Sequence, residues 1–267
     1  MAGEREHTRA ELADGFRALG VSTGGVVLLH SSLKSFGRVA GGAGAVIDGL
    51  RDALGPGGTL VVPTLTGHEA LSVLNPPRTD LRTAPCWVGA IPETLRQRPG
   101  AVRSIHPTHS CAALGARAAE ITRGHELSPT PCGITSPYFR VAAAGGYILF
   151  AGCGLEVCTT LHTVEELANV GYHLQDGVAP AECIDMDGRR IATPVRLHSY
   201  AGPGRDFPAL EPVLRERGHL RTGRVGDSEV RLVCAMGLIE TALDNMRFDP
   251  LYLTVERGKG KEQAETL

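Results

Sequence analysis

Two short apolar runs, Val26 to Leu29 and Thr59 to Pro63, flank a segment from Ala43 to Leu54 whose apolar residues Ala45, Val46, Leu50, Ala53 and Leu54 recur at helical spacing. Gly24-Gly25 opens the first run, and Gly55-Pro-Gly-Gly58 separates the helical segment from the second. Glycine and proline interrupt regular elements, so each of the three pieces has its ends marked. A strand, a helix and a second strand in about forty residues is the spacing of a parallel crossover. This unit predicts an α/β domain.

The rest of the chain extends the pattern. Glu4 to Leu19, with Leu12, Phe16 and Leu19 on one face, reads as an amphipathic helix stopped by Gly20. Residues 67–86 are irregular and polar, a substrate-loop candidate, and Val88 to Gln97 reads as a helix with Pro92 tolerable only near its first turn. Ser110 to Leu114 and Tyr147 to Ala151 are strand-like, and Thr159 to Val170 reads as a helix. Pro180 to Val195 reads as a hairpin turning at Asp187-Gly188, and Val233 to Met246 as the last helix. With no repeat or Pro/Ser-rich linker, residues 1–257 are expected to form one domain, with a weaker lobe boundary near 175 and a polar tail over 258–267.

Lys and Arg number 27 against 29 Asp and Glu, and only 4% of residues are aromatic, so the chain lacks the charge and the stacking surface of a nucleic-acid binder. Its apolar runs fall far short of the ~20 residues of a membrane span, and the charged N-terminal stretch has no apolar centre. A cytoplasmic protein is expected. The seven cysteines, an odd number with no C-x-x-C pair, read as reduced and mostly buried thiols.

Three stretches could carry chemistry. Ser31, Ser32, Lys34 and Ser35 follow directly on an apolar strand, ahead of Gly41-Gly42 and a helix. Hydroxyls, an ammonium and a helix N-terminus make an anion cradle, although neither phosphate-loop spacing is present and serines capping a turn beside a solvated lysine would look the same. In Arg103-Ser-Ile-His-Pro-Thr-His-Ser110, Pro107 forces His106 into an extended conformation, and His106 and His109 could project into a cleft. In Cys158-Thr-Thr-Leu-His-Thr-Val-Glu-Glu166, Glu165 and Glu166 lie three and four residues beyond His162, so either carboxylate can hold the imidazole as a general base or simply form a surface pair. Cys158 near the helix start could be a nucleophile, or Cys153, Cys158, His162 and the 106 and 109 histidines could bind zinc. Buried structural thiols remain the favoured reading, and no metal is expected.

Taken in order, LLHSSLKSFG, GPGGTLVVPT, RSIHPTHSCAALG, ITSPYFR and GCGLEVCTTLHTVEE resemble the successive blocks of the aminoglycoside 3-N-acetyltransferase (antibiotic N-acetyltransferase) family, over about residues 10–175. The resemblance implies a central mixed sheet flanked by helices, distinct from the GNAT fold. It also implies transfer from acetyl-coenzyme A to the 3-amino group of a 2-deoxystreptamine aminoglycoside or a related small-molecule amine, with assembly into a homo-oligomer allowed. By the same resemblance Ser31, Ser32, Lys34, Ser35, Arg103, Ser104 and Ser136 line the coenzyme site, and His162, Glu165 and His106 form the base machinery. Glu156, Cys158, Asp80 and His109 are the candidate substrate contacts. Relatives commonly read G-x-D-x-N-T-T-L-H before the helix; here Glu156 and Cys158 replace the carboxylate and the amide. The alternative is a divergent member that uses Cys158 or a metal for acyl transfer or hydrolysis on another natural product.

Overall fold

The computed structural model describes residues 5–259. Its centre is a seven-stranded mixed sheet in the order β11 (Leu220–Val225), β12 (Ser228–Cys234), β8 (Tyr147–Ala151), β2 (Val26–Ser31), β4 (Thr59–Pro63), β7 (Cys111–Gly115), β6 (Val102–Arg103). Strand β2 runs parallel to both neighbours, β4 and β8, and every pairing farther out is antiparallel. The crossover expected from the two apolar runs is present, with α2 (Gly42–Leu54) joining β2 to β4.

Side chains alternate across the pleat. Val26, Leu28, Val61, Ile148 and Phe150 enter one core, and Val27, Leu29, Leu60, Val62 and Leu149 the other. The first core is covered by α4 (Ala118–Thr122), α5 (Pro137–Ala143), α6 (Thr160–Leu167) and α8 (Ala235–Met246). The second is covered by α1 (Arg9–Leu19), α2 and α3 (Ala90–Arg96). Helix α7 (Glu211–Glu216) adds Leu214 to the first core. Both sheet faces are buried, which explains why the central strands are continuous apolar runs.

Two small sheets complete the fold: β1 (Glu6–His7) with β3 (Arg38–Val39), and β5 (Arg78–Asp80) with β9 (Glu182–Ile184) and β10 (Arg190–Ala192). Strands β9 and β10 form the expected hairpin, with Gly188 at φ 83° in its turn. Helix α1 starts at Arg9, because Thr8 caps it and Glu11 returns the bond to the Thr8 amide; Glu4 lies outside the described residues. The Val233 to Met246 reading merges two elements, since β12 ends at Cys234 and α8 begins at Ala235 with no loop between. Strand β5 lies within the stretch read as irregular, and all but two residues of the polar tail fall outside the described residues.

Candidate active site

In a sheet whose central strands run parallel, ligands collect beyond the carboxyl ends of those strands. A cleft of about 770 Å³ lies there. The segment from Leu29 to Lys34 at the end of β2, Pro63 and Leu65 at the end of β4, and Cys153 with Glu156 to Thr159 after β8 form its walls, with Trp87 to Ala90, Pro92 and Phe207 closing it. It is mainly apolar, with Lys34 and Glu156 at its edge. The Ser31 hydroxyl and His30 Nε2, both from lining residues, are buried without a hydrogen-bond partner.

A second cavity of about 360 Å³ adjoins the first. His109, His173, His198, Tyr200 and Arg205 line it, and Leu65, Trp87, Thr159 and His162 border both. His162 is placed by the first turns of α6, whose Leu161 and Val164 are anchored in the core. Its Nδ1 lies 2.6 Å from Glu165 Oε2. A carboxylate can only accept, so Nδ1 carries the hydrogen and the Nε2 lone pair is left free.

Glu165 is fully buried and serves three partners: His162, His173 Nδ1 at 2.9 Å, and Arg205 Nε at 2.8 Å. Burial alone would raise its pKa, but the hydrogen bonds from both histidines override this and hold the carboxyl well below the usual range. Burial lowers the His162 pKa, and Glu165 restores part of the loss, so the ring is neutral at pH 7. His173 moves the other way: burial would lower it, but Glu165 and Glu166 raise it. His109 and His198 are both pushed well below the ordinary value by burial and by neighbouring histidines.

The other residues singled out by sequence fall in several places. Ser31, Ser32, Lys34, Glu156 and Cys158 border the larger cleft, and His109 the smaller one. Cys158 precedes Thr159, the residue before α6, and burial pushes its thiol up to about 12, so little nucleophilic thiolate exists at neutral pH. Ser35 faces away: its hydroxyl donates to Ser32 O at 2.7 Å and meets Ser228 Oγ at 2.8 Å. Gly152, at φ 67°, is what lets that turn pack so closely, because a Cβ there would collide with Ser35.

Arg103 is a buried bolt rather than part of a cleft wall. It donates to Leu81 O, Ala84 O, Thr64 O and Ser110 Oγ, and burial lowers its pKa to about 10. Ser104 Oγ meets His125 Nδ1 at 3.0 Å and accepts from Cys111 N at 2.8 Å, while Ser136 caps α5. His106 is buried against His125, its Nδ1 accepting from the Thr108 and His109 amides, so it supports His109 from behind. Asp80 pairs with Arg82 at 2.7 Å and borders neither cavity. The zinc grouping imagined from sequence does not assemble; the imidazoles that do meet His162 are His173 and His198. Arg205, His173 and His198 carry no spacing signal toward His162, because loops after α6 bring them back.

Two cavities meeting at one carboxylate-held imidazole are the arrangement of a transferase that brings two ligands to one base. The family profile described as aminoglycoside 3-N-acetyltransferase matches residues 28–247. The chain is 36% identical over 263 residues to aminoglycoside N(3)-acetyltransferase VII of Streptomyces paromomycinus, covering 87% of this chain and 89% of that one. It is 34% identical over 249 residues to aminoglycoside N(3)-acetyltransferase IV of a Salmonella species, covering 92% and 90%. Among solved structures, the apoenzyme of aminoglycoside acetyltransferase AAC(3)-IVa superimposes with TM-score 0.78 and 31% identity over 100% of this chain and 99% of that one. AAC-IIIb in its binary complex with CoASH gives TM-score 0.76 and 27% identity, over 90% and 96%. The chain belongs to the aminoglycoside 3-N-acetyltransferase family.

Proposed function

We propose that the protein transfers the acetyl group of acetyl-coenzyme A to the 3-amino group of a 2-deoxystreptamine aminoglycoside, as a single domain in the cytoplasm. The observation that carries this reading is the position of His162, on the border of both cavities with its Nδ1 held by Glu165. The relative AAC-IIIb is solved in a binary complex with CoASH, and the larger cleft of this chain suits the coenzyme. Leu29, Leu33, Val157 and Phe207 offer an apolar wall to the pantetheine arm, Lys34 a cation to a phosphate, and the unpaired Ser31 hydroxyl and His30 Nε2 partners for amide groups.

The smaller cavity takes the amine. His162 Nε2 accepts a proton as the neutral amine attacks the thioester carbonyl; the C–N bond forms, the C–S bond breaks, and the sulfur leaves as the thiol after protonation. Backbone N–H groups or serine hydroxyls stabilise the developing oxyanion. Most of the acceleration comes from holding the two reactants in line. Glu165 is a positioning residue, which fixes the tautomer and the ring plane. With the Cys158 thiol at about 12, direct transfer is favoured over an acyl-cysteine.

The test is free-thiol release from acetyl-coenzyme A across a panel of aminoglycosides. Turnover with 2-deoxystreptamine acceptors is expected, with kcat falling roughly 10²–10⁴-fold in His162→Ala and staying within about threefold in Cys158→Ala. Turnover that survives His162→Ala would remove the base, and silence across the panel with coenzyme A still bound would remove the acceptor class.

A further inference from the structure

The smaller cavity gathers more imidazole than one proton transfer needs. One ring nitrogen each of His162, His173 and His198 lies within 4.8 Å of the other two. The ring centroids stand 5.2, 4.7 and 4.4 Å apart. Glu165 Oε2 engages Nδ1 of both His162 and His173. The opposite nitrogens are the unsatisfied ones: Nε2 of His173 and Nε2 of His198 are buried with no hydrogen-bond partner. Glu166 Oε1 lies 3.7 Å from the first and 3.8 Å from the second, too far for hydrogen bonds.

An unpartnered polar atom in a protein interior is unfavourable, so two in one cluster call for an occupant. Ligands of a tetrahedral zinc ion at about 2.0–2.1 Å are separated by roughly 3.3 Å, a spacing that small ring rotations of this trio would reach. Metal-binding histidines usually give their other ring N–H to a carboxylate, which is what Glu165 does here for two of them. The cavity supplies an open fourth position.

We propose that His162, His173 and His198 form a binding site for a divalent ion of the zinc class, and that the ion inhibits the transferase reversibly by occupying the His162 nitrogen. The inhibitory half of this inference rests on the reading of His162 as the base. The ion plays no part in the transfer; it and the reacting amine compete for one lone pair. A second trio, His109, Cys132 and His198, is also close enough to hold an ion and shares His198. It is the poorer site: His109 Nδ1 is held by the Thr108 hydroxyl at 2.9 Å rather than by a carboxylate.

The experiment titrates tag-free, chelator-treated protein with Co²⁺ and with Zn²⁺ against a chromophoric chelator, alongside the acetyl-transfer assay. One ion per chain is expected, with the visible bands of tetrahedral cobalt and no thiolate charge-transfer band. His198→Gln and His173→Gln should each weaken binding at least about tenfold, and Cys132→Ala should leave it unchanged. Zinc should inhibit transfer with the same half-saturation as binding, and EDTA should restore it. No retained ion, or affinity unchanged in both histidine variants, would overturn the site. A thiolate band would move the ion to Cys132 and overturn this ligand set, and binding without inhibition would overturn the inhibitory role. Metal binding alongside turnover that survives His162→Ala would leave the site standing while the base assignment fell.

Discussion

His162 and Glu165 act as a pair because each meets a need of the other. The buried carboxylate requires donors, and the imidazole requires one nitrogen tied so that the other is free. Replacing Glu165 with Gln keeps the volume but removes the charge that balances Arg205 and raises the His162 pKa. The expected result is a roughly 10²-fold loss in kcat with little change in KM for acetyl-coenzyme A, and an acid limb of the pH–rate profile displaced to lower pH. That limb reports His162 becoming neutral, so in the unaltered enzyme it should lie below pH 6.5. A limb that stays in place in Glu165→Gln would mean that the carboxylate does not tune the base. Arg103 makes the contrasting case. It matches a coenzyme-site position by resemblance, yet all four of its hydrogen bonds go to the protein's own carbonyls and hydroxyl. Arg103→Ala should cost about 2–4 kcal/mol in urea unfolding and leave coenzyme A affinity unchanged; a weakened affinity in still-folded protein would return it to the cleft.

Elements explain which parts of this arrangement could be read from the chain. The β2–α2–β4 crossover was legible because both its strands are buried on both faces and its helix has a single apolar stripe. Strands β11 and β12 were not, since Arg221, Thr222, Gly223 and Arg224 make β11 look like loop; it is an edge strand with solvent on one side. The His162–Glu165 pair could be read because one turn of helix brings the two together, whereas His173, His198 and Arg205 reach the site on loops whose lengths follow no period. The segment before α3 carries the chain's single tryptophan, Trp87, which borders both cavities and is 65% exposed. Its indole N–H donates to Gly67 O at 3.0 Å, which fixes the ring at the junction. Intrinsic fluorescence should therefore change on saturation with coenzyme A and again when an aminoglycoside is added. An unchanged emission through both additions would place the ligands elsewhere on the sheet.

Over the whole molecule, the histidines that build the site also set the pH range in which it exists. His30, with a pKa lowered to about 3, His125, lowered to about 4, and His106, His109 and His198, all lowered further from 6.5 than a surface site allows, are kept neutral chiefly by burial. In the unfolded chain each takes up a proton near pH 6.5. A group with a depressed folded pKa contributes its full stability above the unfolded pKa and loses it as pH falls, by about 1.4 kcal/mol per histidine for each pH unit below 6.5. The buried Glu165 carboxylate adds a loss of the same sign at lower pH, and His173, whose pKa is raised, opposes it. With His162 also lowered, six histidines stand against one, the balance falls steeply within a single unit, and a domain of this size holds only about 5–15 kcal/mol in total. Thermal unfolding should therefore show a flat midpoint from pH 7 to 8 and a sharp fall between pH 6 and 5, ahead of any carboxylate titration. Equal midpoints at pH 7.5 and 5.5 would mean that these rings reach water or a counter-charge in the folded state.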